Sequence, residues 1–489
     1  MESKSNPLFK FMGIGSLIYA FFYTLFLYRN GSGITYPFFV GGTCLLFFLF
    51  LKRSGHTATK FSIFLTASLL LLGLSTCLTD SWVLHFFNKL GIFILFFYLM
   101  LHNFCADIEW GFGRYIGAFL SLAIESLCRI FYPFTDLIHY QKEHSPFKNK
   151  NRGTALHILY GILIALPLLI VILLLLGSAD MVFYNLFMGH LIDLLDVVLS
   201  GDIIGILFLF LFAFFASYSI MSALREHTAE EMNHEKTAFN PITGITFTGL
   251  LSLVYLAFCM IQIIYLFAGL GTLPENYTYA SYAREGFFQL VFVSIINLVL
   301  ILVCVRIFAE NMLLKGILTF ISLCTYIMIA SSAYRMVLYI QVYYLTFLRV
   351  FVLWALALIA VLMAGAIFSI YRKGFPLVKY CAIVTSILYL GFSFSQPDHY
   401  IASYNLDQGF SSASTDYSYL HQLSNDAAPV IFNKAEDLGF EYSGWFLSYA
   451  GNIPDRLTLR EWNLSQWRAI TCYSTFSKEH PAFQADISE

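Results

Sequence analysis

Long apolar stretches separated by short polar gaps fill the first 396 residues of the chain. A helix needs about 20 apolar residues to cross a hydrocarbon layer of ~30 Å, and within it every backbone N–H and C=O can be paired. The pattern therefore predicts an all-α, polytopic membrane protein. The eleven predicted spans cover residues 11–28, 34–51, 61–79, 85–105, 154–177, 203–223, 246–270, 286–308, 312–330, 346–370 and 378–396.

The positive charges alternate between the gaps. With a cytoplasmic N-terminus, 18 of the 28 Lys and Arg residues fall in inner loops and flanks, 5 fall on the outer side, and 5 belong to the C-terminal tail. Cytoplasmic loops retain the excess of positive charge. The sequence therefore predicts a protein of the cell membrane with its N-terminus inside and its C-terminus outside.

Two regions depart from the pattern of simple spans. Residues 112–132 alternate apolar and charged positions at helical spacing, which predicts an interfacial helix along the inner leaflet. After Pro397 polar residues and turn formers replace the Phe-rich runs. We therefore divide the chain into a transmembrane domain, residues 1–396, and a small extracytoplasmic cap, residues 397–489.

Composition supports the membrane assignment and excludes several functions. The chain is 58% hydrophobic and 12% charged, and its net charge of -2 provides no basic face for nucleic acid. The lipid bilayer is thus the expected partner. We find no phosphate-binding loop and predict no cofactor. His227, Glu231 and His234 have metal-ligand spacing, but the surrounding charged residues favour a solvated helix, so no metal site is predicted.

Charged and aromatic residues cluster at the predicted outer ends of spans eight to ten. Arg335 and Arg349 would share one face of a continuous helix, unless that helix breaks near Leu345 and Thr346. Guanidinium groups bind carboxylate or phosphate with two N–H donors, so a polar or anionic ligand is expected. Alternatively, these residues anchor the helices or pair with one another. The predicted ligand-binding residues are Arg284, Glu285, Arg335, Tyr339 and Arg349.

The tail contains two short helical patterns. Residues 416–429 suggest a helix that ends near Pro429, and residues 459–467 suggest a second, amphipathic segment with Trp462 and Trp467. We expect these tryptophans to pack the cap onto the membrane domain, and binding of a sugar or another ligand is the alternative.

Four stretches in this order carry a resemblance to a known family: YAREGFF at 282–288, YRMVLYIQVYYLTFLRV at 334–350, PDHYIASYN at 397–405 and DYSYLHQLSNDAAP at 416–429. From about residue 150 onward the chain resembles bacterial multi-pass membrane proteins described as domain of unknown function 4173, with a relative numbered 4153. That pattern has glycine where Tyr344 stands and asparagine where Gln396 stands. The resemblance implies that the outer arginines and the tail belong together, and it implies no activity.

Three classes of function remain open on the sequence. The first is a transporter-like or sensing protein that binds its ligand at the outer face. The second is a membrane-embedded enzyme that acts on a lipid-linked or cell-envelope substrate, with Asp180, Asp193, Asp196 and Asp202 as the outer carboxylates. The third is a structural or regulatory partner of another envelope protein. The oligomeric state and the substrate are not predicted.

Overall fold

The computed structural model describes residues 8–105, 107, 110–144, 201–227, 239–264, 286–372, 374–409, 417–440, 443–454 and 456–480, with isolated positions between 161 and 176. The predicted span at 154–177 lies outside the continuously described ranges. Within those ranges the chain is helical, and a single isolated β-bridge joins Phe239 to Phe308. This confirms the all-helical class.

Ten described helices are long and apolar enough to cross a membrane, which confirms a multi-pass membrane protein. They are α1 (Phe9–Leu27), α2 (Thr35–Arg53), α3 (Lys60–Leu78), α4 (Trp82–Phe104), α7 (Gly201–His227), α8 (Pro241–Gln262), α9 (Phe287–Ile307), α10 (Met312–Tyr343), α11 (Phe347–Tyr371) and α12 (Leu377–Phe394).

Helices also occupy the region where an interfacial helix was predicted. They are α5 (Phe112–Cys128) and α6 (Tyr132–His144). The two meet at a 60° bend, and together they have the length and composition of one broken span. The interfacial placement therefore stays a prediction. In the tail, the described α-helices are α13 (Pro397–Gly409), α14 (Ala428–Leu438), α15 (Gly444–Gly451) and α16 (Leu464–Glu479).

Contacts divide the chain into two compact units. The first comprises residues 1–31, 42–57 and 121–228, and in it α1 packs along α7. At one end of this pair, Asp202 accepts a hydrogen bond from the Tyr28 hydroxyl at 2.8 Å and pairs with Arg29 at 2.8 Å. This outer-loop carboxylate thus holds two helix ends together.

The second unit comprises residues 32–41, 58–120 and 229–489. Here α3 packs on α4 and α12, and α10 packs on α8, α9 and α11. The turn between α3 and α4 contacts the tail, whereas Asp107, which follows α4, contacts Lys379 at the start of α12. We call these two ends of the unit the tail end and the Asp107 end.

The chain between α10 and α11 breaks at residues 344–346, the second of the two alternatives that the sequence left open. Tyr344 has φ 62° and ψ -172°, a conformation that is essentially restricted to glycine. Tail residue Asn405 holds the break, because its side chain accepts from the Leu345 N–H and donates to the Leu345 carbonyl, both at 2.9 Å. Gln396 also has a positive φ, 49°.

Replacing Tyr344 with glycine should stabilise the protein, because glycine adopts this conformation without strain. We expect a gain of about 1 kcal/mol, read as a higher melting temperature of the purified protein in detergent. Tyr343→Gly is the matched control: it lies inside the last helical turn, where glycine costs about 1 kcal/mol. Equal melting temperatures for the two variants would contradict the assignment of strain to Tyr344.

The tail segment, residues 397–480, has a hydrophobic core of its own. Ile431, Phe432 and Phe446 are buried at its centre, and Phe347 of α11 packs against the same cluster. Pro429 lies in the first turn of α14, where its fixed φ and missing N–H are tolerated, so the predicted helix end at this proline was wrong. Trp467 is 48% exposed. The core therefore fixes the tail structure next to the membrane helices without burying Trp467.

Candidate functional site

The predicted ligand-binding residues divide between two helices and a part of the chain outside the described residues. Arg284 and Glu285 fall in that part. Arg335 lies on α10 and is 6% exposed, and its guanidinium donates to Oε1 of Gln262 at 3.3 Å. The same oxygen accepts from Ser331 at 2.6 Å. Arg335 therefore has interhelical partners within the bundle.

Arg349 lies on α11 and caps the preceding helix. Its guanidinium donates to the carbonyl oxygens of Tyr343 and Tyr344, and it lies 4.4 Å from the centroid of the Tyr339 ring. A cation at a helix C-terminus is stabilised by the unpaired carbonyls there. This geometry accounts for Arg349 and Tyr339 as parts of the break between α10 and α11.

Asp426, which the sequence analysis did not single out, joins the tail to the membrane helices. It is 4% exposed, and Oδ1 accepts from the Asp80 N–H at 3.0 Å while Oδ2 accepts from the Thr79 hydroxyl. Both donors belong to the turn between α3 and α4. Asn463, the N-cap of α16, donates to the Thr79 carbonyl at 2.9 Å. The turn is thus held by polar side chains from two parts of the tail.

Two further carboxylates lie close to this turn. Asp80 accepts from the side chains of Asn425 at 2.6 Å and Gln466 at 2.9 Å. Burial, with a smaller contribution from the charge of Asp426, raises the pKa of Asp80 to about 6. Burial also raises the pKa of Asp398, against the hydrogen bonds that Ser424 donates to it. Asp80, Asp398 and Asp426 form the tail-end carboxylate cluster.

A cavity of about 480 Å³ opens beside this cluster. Asp426 and Asn425 form one wall, and Trp467 and Arg468 of α16 form another. The Ser465 hydroxyl also lines it, and this buried oxygen has no hydrogen-bond partner among the described residues. The remaining lining residues are Phe394, Ser395, Gln396, His399, Tyr400, Pro429, Thr471 and Cys472. Amide, hydroxyl, imidazole and guanidinium groups beside exposed aromatic rings suit a small polar molecule.

The sequence contained a signal for this site that composition alone did not reveal. Asp398 lies in the stretch PDHYIASYN and Asp426 in DYSYLHQLSNDAAP, both of which carry the family resemblance. Asp80 is the only carboxylate in the short gap between the third and fourth predicted spans. Their meeting depends on the fold, because about 320 residues separate Asp80 from Asp398 in the chain.

A second polar network lies at the Asp107 end. Thr59 Oγ1 is 2.8 Å from His102 Nε2, and His102 Nδ1 is 2.5 Å from Asp107 Oδ2. Burial acts to raise the pKa of Asp107, but the hydrogen bonds of His102 and Tyr115 outweigh it, and that pKa lies below its ordinary value. The order of groups is that of a hydrolase triad. Thr59 Oγ1, however, also accepts the Ser62 N–H as the cap of α3, so this network fixes the start of a helix.

Among the described residues, no group of three or more His, Cys, Asp or Glu side chains is arranged to hold a metal ion. Of the spaced set noted in the sequence, Glu231 and His234 lie outside the described ranges. The tail-end carboxylates instead accept hydrogen bonds from the amide and hydroxyl groups of the protein. Their chemistry here is attachment of the tail.

A family profile described as domain of unknown function (DUF4153) matches residues 66–433 of the chain. The match runs from α3 to α14 and includes all three residues of the tail-end carboxylate cluster. It corresponds to the relative numbered 4153 in the predicted resemblance, and membership in 4173 stays a prediction. No curated protein and no solved structure matches the chain.

Proposed function

The chain belongs to the family described as domain of unknown function (DUF4153), and on that premise we propose that this multi-pass membrane protein binds a small polar or anionic ligand in the tail-end cavity. We further propose that occupancy of the cavity is transmitted to the membrane helices. Under the predicted orientation, this cavity lies at the outer face. The role is that of a sensing component of the cell membrane.

The observation that supports this proposal is the double role of the residues around Asp426. Asp426 lines the cavity and also accepts from Thr79 and Asp80 in the α3–α4 turn. Asn425 lines the cavity and donates to Asp80. A ligand that competes for either side chain changes how firmly the turn is held. Binding and a shift of membrane helices are therefore linked through shared hydrogen bonds.

The interior of α3 and α4 favours sensing over an open pathway. Below the turn, Asn88 accepts from the hydroxyls of Tyr389 at 2.8 Å and Ser393 at 2.9 Å. Farther along the helices, Leu65, Leu69 and Leu99 are fully buried. This apolar layer separates the polar groups of the two ends. Transport by a second conformation remains the alternative within the same class.

The proposal is tested by ligand-dependent melting of the purified full-length protein. Inorganic phosphate, succinate and glucose are the probes, since they present an anion, a dicarboxylate and a neutral polyol to Arg468, His399 and the amides. A ligand at 100 times its dissociation constant should stabilise the folded state by about 2.7 kcal/mol. Arg468→Ala should abolish the shift produced by an anionic probe, because the lost guanidinium is the exposed cation of the cavity.

Arg456→Ala is the matched control, because Arg456 is an exposed arginine of the same tail that does not line the cavity. It should preserve the shift. If none of the probes changes the melting temperature at millimolar concentration, or if Arg468→Ala responds like the intact protein, ligand binding in this cavity is refuted.

The site predicted around Arg284, Glu285, Arg335, Tyr339 and Arg349 is retained as a separate proposal for ligand contact. The backbone partners of Arg349 favour a structural role instead: Arg349→Ala should lower the melting temperature without ligand while leaving a ligand-induced shift intact. For the enzyme alternative, Asp202 is engaged by Tyr28 and Arg29, and the other three outer carboxylates lie outside the described residues. A regulatory partner of another envelope protein is compatible with a sensing role.

A further inference from the structure

A polar cavity of about 490 Å³ opens at the Asp107 end, on the opposite side of the bundle from the proposed ligand cavity. Four cationic side chains line it, against the two carboxylates of Asp107 and Glu310. The cations are Arg306, Lys315, Arg372 and Lys379. Lys315 pairs with Glu310 at 3.3 Å, and Lys379 lies 3.7 Å from Asp107. The excess of positive charge makes this cavity complementary to an anion.

The start of α12 adds backbone donors to the same cavity. Leu377, Val378 and Lys379 form its first turn, and all three line the cavity. Pro376, the N-cap residue, provides no side-chain cap for this turn. First-turn N–H groups of a helix favour a negatively charged oxygen. They point to a phosphate-like group in combination with the surrounding lysines and arginines.

An apolar groove of about 620 Å³ runs along the membrane helices beside this cavity. Its walls come from α4, α5, α11 and α12, with Phe93, Ile94 and Ile116 exposed along its edge. On α12 the lining extends from Val378 to Tyr389, a rise of about 16 Å. That is about half of a ~30 Å hydrocarbon core, the depth of one leaflet.

The cavity and the groove share two lining residues, Tyr115 and Val378. Tyr115 donates to Asp107 Oδ2 at 2.6 Å, which fixes its ring at the junction. We propose that the two form one site for a membrane amphiphile, with its phosphate headgroup in the cationic cavity and one hydrocarbon chain in the groove. This site is independent of the ligand proposed for the tail-end cavity.

Charge supplies the selectivity of such a site. A hydrocarbon chain gains little by leaving the bilayer for an equally apolar groove, so the chain fixes position and depth. The headgroup instead meets lysine and arginine near the membrane surface, where each is worth about one unit of RT or more toward an anionic lipid. We therefore expect about tenfold tighter binding of a lipid with a phosphate monoester headgroup than of a zwitterionic lipid.

The experiment measures quenching of tryptophan fluorescence by lipids with brominated chains, using the full-length protein in detergent micelles. Trp354 lines the groove and reports on the chain. Brominated phosphatidic acid should quench at about tenfold lower concentration than brominated phosphatidylcholine. Trp354→Phe should lose this part of the signal. An excess of inorganic phosphate should compete only weakly, because it has no chain for the groove.

Three variants separate headgroup from chain. Arg372→Gln with Lys379→Gln should bring the two lipids to equal affinity, whereas Arg114→Gln, an exposed arginine at the same end that does not line the cavity, should preserve the preference. Ala382→Trp should weaken binding of both lipids, since Ala382 lines the groove. Equal affinity of the unaltered protein for both lipids would overturn the proposal. So would displacement of phosphatidic acid by inorganic phosphate at equal concentration, which would identify a free-anion site.

Discussion

Replacing Asp426 with alanine will weaken the attachment of the tail to the membrane helices by about 3 to 6 kcal/mol. Two hydrogen bonds to a buried carboxylate are lost, each worth about 1.5 to 3 kcal/mol, and the Thr79 hydroxyl and the Asp80 N–H lose this acceptor. We expect a melting temperature lower by many degrees in detergent. Trypsin should also cut faster in the tail, at Lys434 and Arg456.

Asp437→Ala is the matched control, because Asp437 is an exposed carboxylate in the same tail. It should leave both the melting temperature and the cleavage rate unchanged. Asp426→Asn should fall between the two, since an amide keeps the volume and one acceptor oxygen. If Asp426→Ala melts and is cleaved like Asp437→Ala, the tail is held by its hydrophobic contacts alone and the proposed link to the α3–α4 turn is lost.

The membrane helices could be predicted from the sequence because apolar length is a direct consequence of bilayer thickness. Their ends could not always be. The predicted end at residue 330 fell short by 13 residues, because Ser331, Ser332 and Arg335 end the apolar run. In the structure the Ser331 hydroxyl bonds to Gln262 and the Ser332 hydroxyl to the Phe287 carbonyl, so the helix continues. The start of α8 was also missed, although Asn240 and Pro241 form an ordinary N-terminal signal.

The break between α10 and α11 shows what one sequence can and cannot reveal. The glycine and asparagine of the family pattern at positions 344 and 396 correspond to two of the three described non-glycine residues with positive φ. A tyrosine and a glutamine at those positions conceal the backbone requirement. The carboxylate cluster was missed for a different reason. Asp80, Asp398 and Asp426 are unremarkable one at a time, and their shared environment is created by tertiary packing.

The attachment of the tail should weaken as the pH rises through about 6. Asp80 titrates at about 6 when buried, against 3.8 as its ordinary value. The attached state therefore binds a proton that the released state gives up between these two pH values, so attachment is strongest below about 4 and falls as the pH rises. A difference of about two pKa units corresponds to about 3 kcal/mol, which is fully lost above pH 6. Asp398, whose pKa is also raised, acts in the same direction.

The measurement is the rate of tryptic cleavage of the tail between pH 5 and 8, corrected for trypsin activity on an unfolded substrate. Asp80→Asn should flatten this dependence, since an amide carries no titrating proton and either the Asn425 or the Gln466 amide can rotate to pair with it. Asp426→Asn should move the transition to lower pH, because the charge of Asp426 helps to raise the pKa of Asp80. His85, whose ring contacts the Thr79 carbonyl at 2.8 Å, also titrates near the turn, and His85→Gln should leave the Asp80 transition in place. A transition that follows His85 and persists in Asp80→Asn would assign the pH response to the histidine and refute the role of the carboxylate.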